Sequence, residues 1–150
     1  MAIDFDFGLK QRKVTMSALD EFARLSGKLF VGGKYISSTT TAHLDVIEPA
    51  TEDRLGQIAD ATDSEVDQAI DVASLARRKW LSMDARSRAV VLHDIAAVIR
   101  RDKSQFAEFL TREEGKPFKE SVDEVSWCAT AIDYYAELAR HETGRLAGAT

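Results

Sequence analysis

The chain has 150 residues, of which 45% are hydrophobic and 30% are charged, and its net charge is -5. This length and composition fit one globular domain with a buried core, and the acidic balance argues against a nucleic-acid partner, which favours a basic surface. No apolar run approaches the roughly 18 to 20 residues of a membrane span. Because the single cysteine, Cys128, cannot form an internal disulfide, we expect a reducing compartment and a cytoplasmic protein.

Residues 1–28 are predicted to form an N-terminal extension. The beginning of this segment alternates apolar and polar or small residues, a weak strand pattern carried by Ile3, Phe5, Phe7 and Leu9. Residues 17–24 favour a short helix with Ser17 as its N-cap, and Gly27 would end that helix.

Two β-hairpins are predicted after the extension. Gly32 and Gly33 separate apolar β-forming pairs, which favours a type I′ turn because both central positions need a positive φ. A dinucleotide-binding loop would need three spaced glycines between a strand and a helix, so the hairpin is the better interpretation. A second hairpin should join strands at residues 44–47 and 55–58 through the turn at residues 50–53.

After Ala59 the apolar period changes from 2 to 3.6, which indicates helices. Thr62 and Glu65 form a capping box for the first of them, and Asp84 is the expected N-cap of the second. A third helix should end at Gly115, since glycine suits the C′ position and Pro117 follows it.

The last predicted helix, residues 119–140, has two apolar stripes. The first comprises Val122, Val125, Ala129, Ile132, Ala136 and Ala139, and the second comprises Trp127, Ala131, Tyr134 and Leu138. A helix that packs on a single layer needs one stripe. Two stripes imply burial on both sides, or one side that faces a partner or a further domain.

The residues give little sign of a catalytic centre. Cys128 lies in the middle of the last helix, away from an N-terminal dipole that would activate its thiol, so we expect a buried structural cysteine. The three histidines show neither i, i+4 spacing nor an HExxH motif, which argues against a zinc site.

The ordered motifs nevertheless resemble those of the aldehyde dehydrogenase family. The resemblance covers roughly residues 28–146 and rests on Phe30 with Gly33, on Ile47 with Pro49-Ala-Thr51, on Glu114-Gly-Lys-Pro117, and on Tyr134-Tyr135. Glu48 departs from the pattern, because asparagine is usual before the proline.

This resemblance implies an α/β fold, the N-terminal part of a Rossmann-like cofactor domain. The chain should be mostly helical, with N-terminal β-hairpins and an incomplete sheet, and residues 29–150 should form this domain segment. Family members oxidise aldehydes to carboxylic acids with NAD or NADP, using a cysteine nucleophile and a glutamate that activates water. Both residues are expected beyond residue 150, so the isolated chain should be inactive.

The resemblance also suggests two sites within the chain. Asp123 and Trp127 correspond to positions that face the substrate entrance, although Trp127 could equally be interdomain core. The carbonyl of Ile47 and the carboxylate of Glu113 correspond to a monovalent cation site, since hard oxygen donors would suit sodium or potassium.

Two functions remain open on the sequence. The chain is either the N-terminal part of an aldehyde dehydrogenase, or a stand-alone helical interaction module or decayed enzyme fragment that binds a full-length relative. Under both functions we expect the chain to associate through the apolar helix at residues 119–140, as a homo-oligomer or as a complex with another protein.

Overall fold

A computed structural model describes residues 18–138 and 140–141. Its elements are α1 (Ala18–Leu25), β1 (Lys28–Val31), β2 (Lys34–Ser37), β3 (His43–Ile47), β4 (Arg54–Ala59), α2 (Asp63–Ser82), α3 (Ala85–Arg101), α4 (Lys103–Glu114) and α5 (Phe118–Leu138). The short helix of the extension is therefore confirmed. The predicted strand near Ile3, the Ser17 cap and Ala139 lie outside the described residues.

The first hairpin has the predicted turn. Gly32 and Gly33 have φ of 61° and 78°, and β1 pairs antiparallel with β2 so that Phe30 stands opposite Tyr35. The rings of these two residues lie 5.0 Å apart between centroids. A turn with two positive φ angles needs residues without a Cβ penalty, so the adjacent glycines set the hairpin locally.

The second hairpin, β3 with β4, contains an irregularity between Val46 and Ile47, and Glu52 in its turn has φ of 62°. Within the described residues, each hairpin forms its own two-stranded sheet. The prediction of a mostly helical α/β segment with N-terminal hairpins and an incomplete sheet is confirmed.

The helix boundaries follow the predicted caps. The Thr62 hydroxyl accepts a hydrogen bond from the Glu65 amide at 3.3 Å, and the Thr62 amide donates to the Glu65 carboxylate at 2.9 Å. Asp84 accepts from the Ser87 amide at 2.8 Å at the start of α3. Gly115 ends α4 with φ of 77°. Local hydrogen-bonding chemistry therefore fixes these boundaries.

The core of the chain lies where α3 and α4 pack on α5. The residues buried there are small: Ala89, Ala96, Ala107, Ser121, Val125, Ala129 and Ala136. Small side chains let the helix axes approach closely, and the hydroxyls of Ser121 and Thr111 meet at 2.9 Å across α4 and α5. The helix α1 packs against β4 and α4 at the side of this helical unit.

Candidate functional site

The two apolar stripes of α5 have different environments. Within the first stripe, Val125, Ala129 and Ala136 are buried, and Val122 and Ile132 are half-buried. The second stripe is exposed, with Trp127 at 75%, Tyr134 at 60% and Leu138 at 44% of their full accessible surface. The prediction of two apolar surfaces is therefore confirmed, and the packed one is the first stripe.

The exposed face of α5, defined by Asp123, Trp127, Ala131, Tyr134 and Leu138, is a candidate contact surface. Asp123 and Trp127 are four residues apart, so they lie on the same side of the helix one turn from each other. The ring of Tyr134 packs edge-on against that of Tyr135 at 5.4 Å. This face presents a carboxylate beside a row of aromatic and aliphatic groups. Such a surface can contact an apolar molecule or another apolar surface.

An apolar cavity of about 550 Å³ lies on another side of α5. It is lined by Leu25, Ile99, Phe106, Phe109, Leu110, Glu113, Glu124, Val125 and Cys128. Cys128 is exposed, so the prediction of a buried structural thiol is wrong. Cys128 lies between the two apolar stripes of α5, on a side of the helix that α4 leaves uncovered. Its position within the helix could not reveal this, because it depends on where α4 packs.

Lys116, between α4 and α5, pairs with one acid of each helix. Lys116 lies 2.6 Å from the Glu114 carboxylate and also contacts Glu124. Hydrogen bonds to Glu114 and then Glu124 raise the pKa of Lys116 above its ordinary value. Lys116 therefore links the end of α4 to the first turns of α5, beside the cavity.

Ile47 and Glu113, the predicted cation ligands, lie in neighbouring segments. Ile47 ends β3, and Glu113 is in the last turn of α4, where its side chain lines the cavity. The residues next to them form an ion pair, since Arg112 donates to the Glu48 carboxylate at 2.9 Å. The hydrogen bond from Arg112 is the largest cause that lowers the pKa of Glu48. Glu48, the departure from the family pattern, thus connects the second hairpin to α4.

A cluster that the sequence did not reveal joins α3 to α5. His93 contacts both Asp133 and Glu137, and Arg100 pairs with Asp133. His93 precedes these acids by 40 and 44 residues, so no local motif contains them. Only the packing of two helices brings them together.

The described part of the chain contains no group of three or more His, Cys, Asp or Glu side chains that could hold a metal ion. It also contains no helix that is long and apolar enough to span a membrane. Gly32 and Gly33 lie in a hairpin turn, in agreement with the rejection of a dinucleotide-binding loop at this position.

The sequence model of the aldehyde dehydrogenase family matches residues 35–149. The chain belongs to the aldehyde dehydrogenase family. Among curated relatives, it is 30% identical over 123 residues to the D-glyceraldehyde dehydrogenase (NADP(+)) of Thermoplasma acidophilum, a match that covers 82% of this chain and 25% of the relative.

Solved aldehyde dehydrogenase structures share its fold. The lactaldehyde dehydrogenase of Escherichia coli matches with a TM-score of 0.78 and 31% identity, over 83% of this chain and 26% of that enzyme. The betaine aldehyde dehydrogenase of Staphylococcus aureus in complex with NAD+ matches with a TM-score of 0.79 at 22% identity, over 88% of this chain and 27% of that enzyme. The chain therefore spans about a quarter of the length of the relatives it matches.

Proposed function

We propose that these residues serve in an NAD(P)-dependent enzyme that oxidises an aldehyde to a carboxylic acid. The observation that carries this proposal is the family match over residues 35–149. The catalytic cysteine and glutamate implied by the family resemblance are expected beyond residue 150. The 150-residue chain alone should therefore bind neither substrate nor cofactor productively.

For the substrate, we propose a small hydroxylated aldehyde. Two relatives that share 30% or more of the aligned residues are named for D-glyceraldehyde and for lactaldehyde. D-glyceraldehyde and lactaldehyde are therefore the first substrates to test, each with NAD+ and with NADP+ because the relatives differ in the cofactor that their names give.

Asp123 and Trp127 are proposed to border the substrate entrance. Their shared helix face and the 75% exposure of Trp127 support this role, and interdomain packing of Trp127 is the alternative. In the complete enzyme, Trp127→Ala should raise KM with little change in kcat if the side chain contacts substrate on its way in. If the side chain is interdomain core, the variant should instead lose thermal stability at an unchanged KM.

A monovalent cation site at the Ile47 carbonyl and the Glu113 carboxylate is a further proposal. Hard oxygen donors suit sodium or potassium, and the Glu48–Arg112 ion pair between the flanking residues supports their proximity. In the complete enzyme, replacing potassium with a large organic cation should reduce thermal stability in the wild type and not in a Glu113→Gln variant. Asp71→Asn, on the exposed surface of α2, is the matched control for loss of a surface carboxylate.

The direct test compares two samples. One is the 150-residue chain. The other is the endogenous protein that contains these residues, captured from a cytoplasmic extract of its source cells. Both are assayed for aldehyde-dependent reduction of NAD+ and NADP+. We expect turnover only in the captured protein. Turnover by the 150-residue chain at comparable rates, or a captured protein without activity towards any aldehyde, would contradict the proposal.

A stand-alone interaction module is the second candidate function, and the exposed face of α5 favours it. It predicts that the captured protein contains a chain of about 16.6 kDa bound to a separate dehydrogenase. It also predicts that Trp127→Ala weakens this complex without changing the fold of the chain. The same surface would serve association of identical chains, so light scattering of the pure chain at several concentrations separates a homo-oligomer from a hetero-complex.

A further inference from the structure

His93 connects two helices through both nitrogens of its ring. The Nδ1 atom lies 2.6 Å from Oδ1 of Asp133, and the Nε2 atom lies 2.7 Å from Oε1 of Glu137. Asp133 and Glu137 are one turn apart on α5, so the imidazole of α3 fits between two successive carboxylates. This geometry ties the last two turns of α5 to the same point on α3.

The number of protons on the ring follows from these two contacts. A carboxylate only accepts hydrogen bonds, and a neutral imidazole carries a single N–H. Both contacts can therefore be hydrogen bonds only when His93 is the imidazolium. With a neutral ring, one nitrogen lone pair would face a carboxylate oxygen, which is repulsive.

We propose that His93 is a proton-dependent clamp between α3 and α5, which holds Glu137 when the ring carries two protons and releases it when the ring carries one. This device is separate from the proposed dehydrogenase function. It would make the position of the last turn of α5, and so of Tyr134 and Leu138 on its exposed face, respond to pH.

Glu137, rather than Asp133, is the acid that loses its contact with His93, because the surroundings of the two acids differ. Arg100 also pairs with Asp133, whose side chain is 30% exposed, so this carboxylate remains held on α3. The Glu137 side chain is 50% exposed and lies in the last turn of α5. Besides its contact with His93, its ion pair among the described residues is a longer one, 3.4 Å to Arg140. When one proton leaves, Glu137 can turn into water at little cost.

The other charged groups around the clamp keep both of its acids ionised. Hydrogen bonds to Asp133 and then to Glu137 raise the pKa of His93, and the hydrogen bond from His93 is the largest cause that lowers the pKa of each acid. Arg100 acts on Asp133, and Arg140 and His141 act on Glu137. In the described part of the chain, no charged side chain of α4 hydrogen-bonds to the ring.

The raised pKa sets the direction of the pH dependence. Protonated His93 is favoured in the folded state, so the clamp is fully present below the ordinary histidine value of 6.5 and is lost as the pH rises through the folded value above it.

Long-range ¹H–¹⁵N NMR of the ring nitrogens tests the protonation state directly in the 150-residue chain. A His93→Gln variant assigns the signal among the three histidines. We expect both nitrogens of His93 to be protonated at about pH 6, a titration midpoint above 6.5, and a neutral form protonated at Nδ1. A midpoint at or below 6.5, or a neutral form protonated at Nε2, would overturn the clamp as proposed.

Amide hydrogen exchange in the last turn of α5 tests the conformational consequence. Glu137→Gln removes the carboxylate that the neutral ring releases, at a half-exposed site. Glu120→Gln removes an exposed acid elsewhere on α5 and is the control. Below the His93 midpoint, exchange at residues 134–138 should be about 1.5- to 5-fold slower in the wild type than in Glu137→Gln, a range typical of exposed ion pairs. Above the midpoint the difference should vanish. A difference that is independent of pH, or that Glu120→Gln reproduces, would contradict the proposal.

Discussion

The helical unit of α3, α4 and α5 differs from the region formed by α2 and the first hairpin. In the helical unit, the buried residues are small and apolar, with Ser121 as the polar exception, and α3 and α4 each pack against α5. In α2 the buried residue is the charged Glu65, and large apolar side chains stay exposed: Val66, Ile70, Leu75, Trp80 and Leu81. Phe30 and Tyr35 of the first hairpin are also exposed.

This contrast shows two ways of holding a helix in place. Helix α5 is held by close packing along its first stripe, whereas the start of α2 is held by hydrogen bonds around one carboxylate. Glu65 accepts from the amides of Thr39 and Thr62 at 2.7 and 2.9 Å and from the hydroxyl of Ser38. The apolar surface of α2 thus stays exposed and can contact a further domain or a partner. The matched relatives are about four times as long as this chain.

Overpacking the helical unit should have the largest effect. Ala129 has no exposed surface where α5 meets the other helices, and leucine there would force the helices apart. We expect Ala129→Leu to lower the free energy of unfolding by about 3 kcal/mol. Ala131→Leu, on the exposed face of the same helix, should change it by less than about 0.5 kcal/mol. Urea unfolding of both variants gives the comparison, and equal losses would contradict the assignment of the two faces.

The polar attachment of α2 should respond to acid. Hydrogen bonds from the Thr39 amide, first, and from the Thr62 amide lower the pKa of Glu65 to about 2 from its ordinary 4.5. Its contribution to stability is therefore complete above pH 4.5 and is lost as the pH falls towards 2. Glu65→Gln should destabilise the chain at neutral pH, because one amide oxygen cannot accept all of these bonds.

Unfolding measured as a function of pH checks this point. The difference between wild type and Glu65→Gln should shrink between about pH 4.5 and 2. Asp67→Asn removes an exposed acid two residues further along α2 and is the matched control for loss of a surface carboxylate. A difference that grows in acid would show that the carboxylate is not the attachment point.

A glycine pair tests the connection between the hairpins and the helical unit. Gly115 and Gly33 have nearly the same φ, 77° and 78°, but a Cβ on Gly115 would lie 3.2 Å from Cβ of Pro49, whereas one on Gly33 would meet nothing within 4 Å. Alanine at Gly33 should cost about 1 kcal/mol from its backbone conformation alone. Gly115→Ala should cost about 2 kcal/mol, because the second hairpin must also move. Thermal unfolding of the two variants tests this ranking. A larger loss of stability in Gly33→Ala than in Gly115→Ala would contradict the close approach of Gly115 to Pro49.

The sequence predicted the features that depend on neighbouring residues. The type I′ turn at Gly32-Gly33, the Thr62–Glu65 capping box and the end of α4 at Gly115 each follow from the conformational or hydrogen-bonding preferences of a few adjacent residues. The two stripes of α5 were also visible, although the pattern could not say which stripe packs, because that depends on where α3 and α4 return along the chain.

Features that depend on packing between distant segments were not predicted. The exposure of Cys128 and the position of His93 between Asp133 and Glu137 arise from how α3, α4 and α5 meet. The sequence identified Glu65 only as a capping residue. Its bonds to Ser38 and Thr39, which are 27 and 26 residues earlier, come from the path of the chain between the hairpins.

Hydroxyl-radical footprinting tests most directly whether the exposed face of α5 is covered in the working protein. Trp127 and Tyr134 should be oxidised rapidly in the 150-residue chain, where they are 75% and 60% exposed. In the endogenous protein captured from its source cells, we predict that both side chains are protected. Equal oxidation of Trp127 and Tyr134 in the two samples would contradict the account, because the apolar face would then have neither a domain nor a partner to cover it.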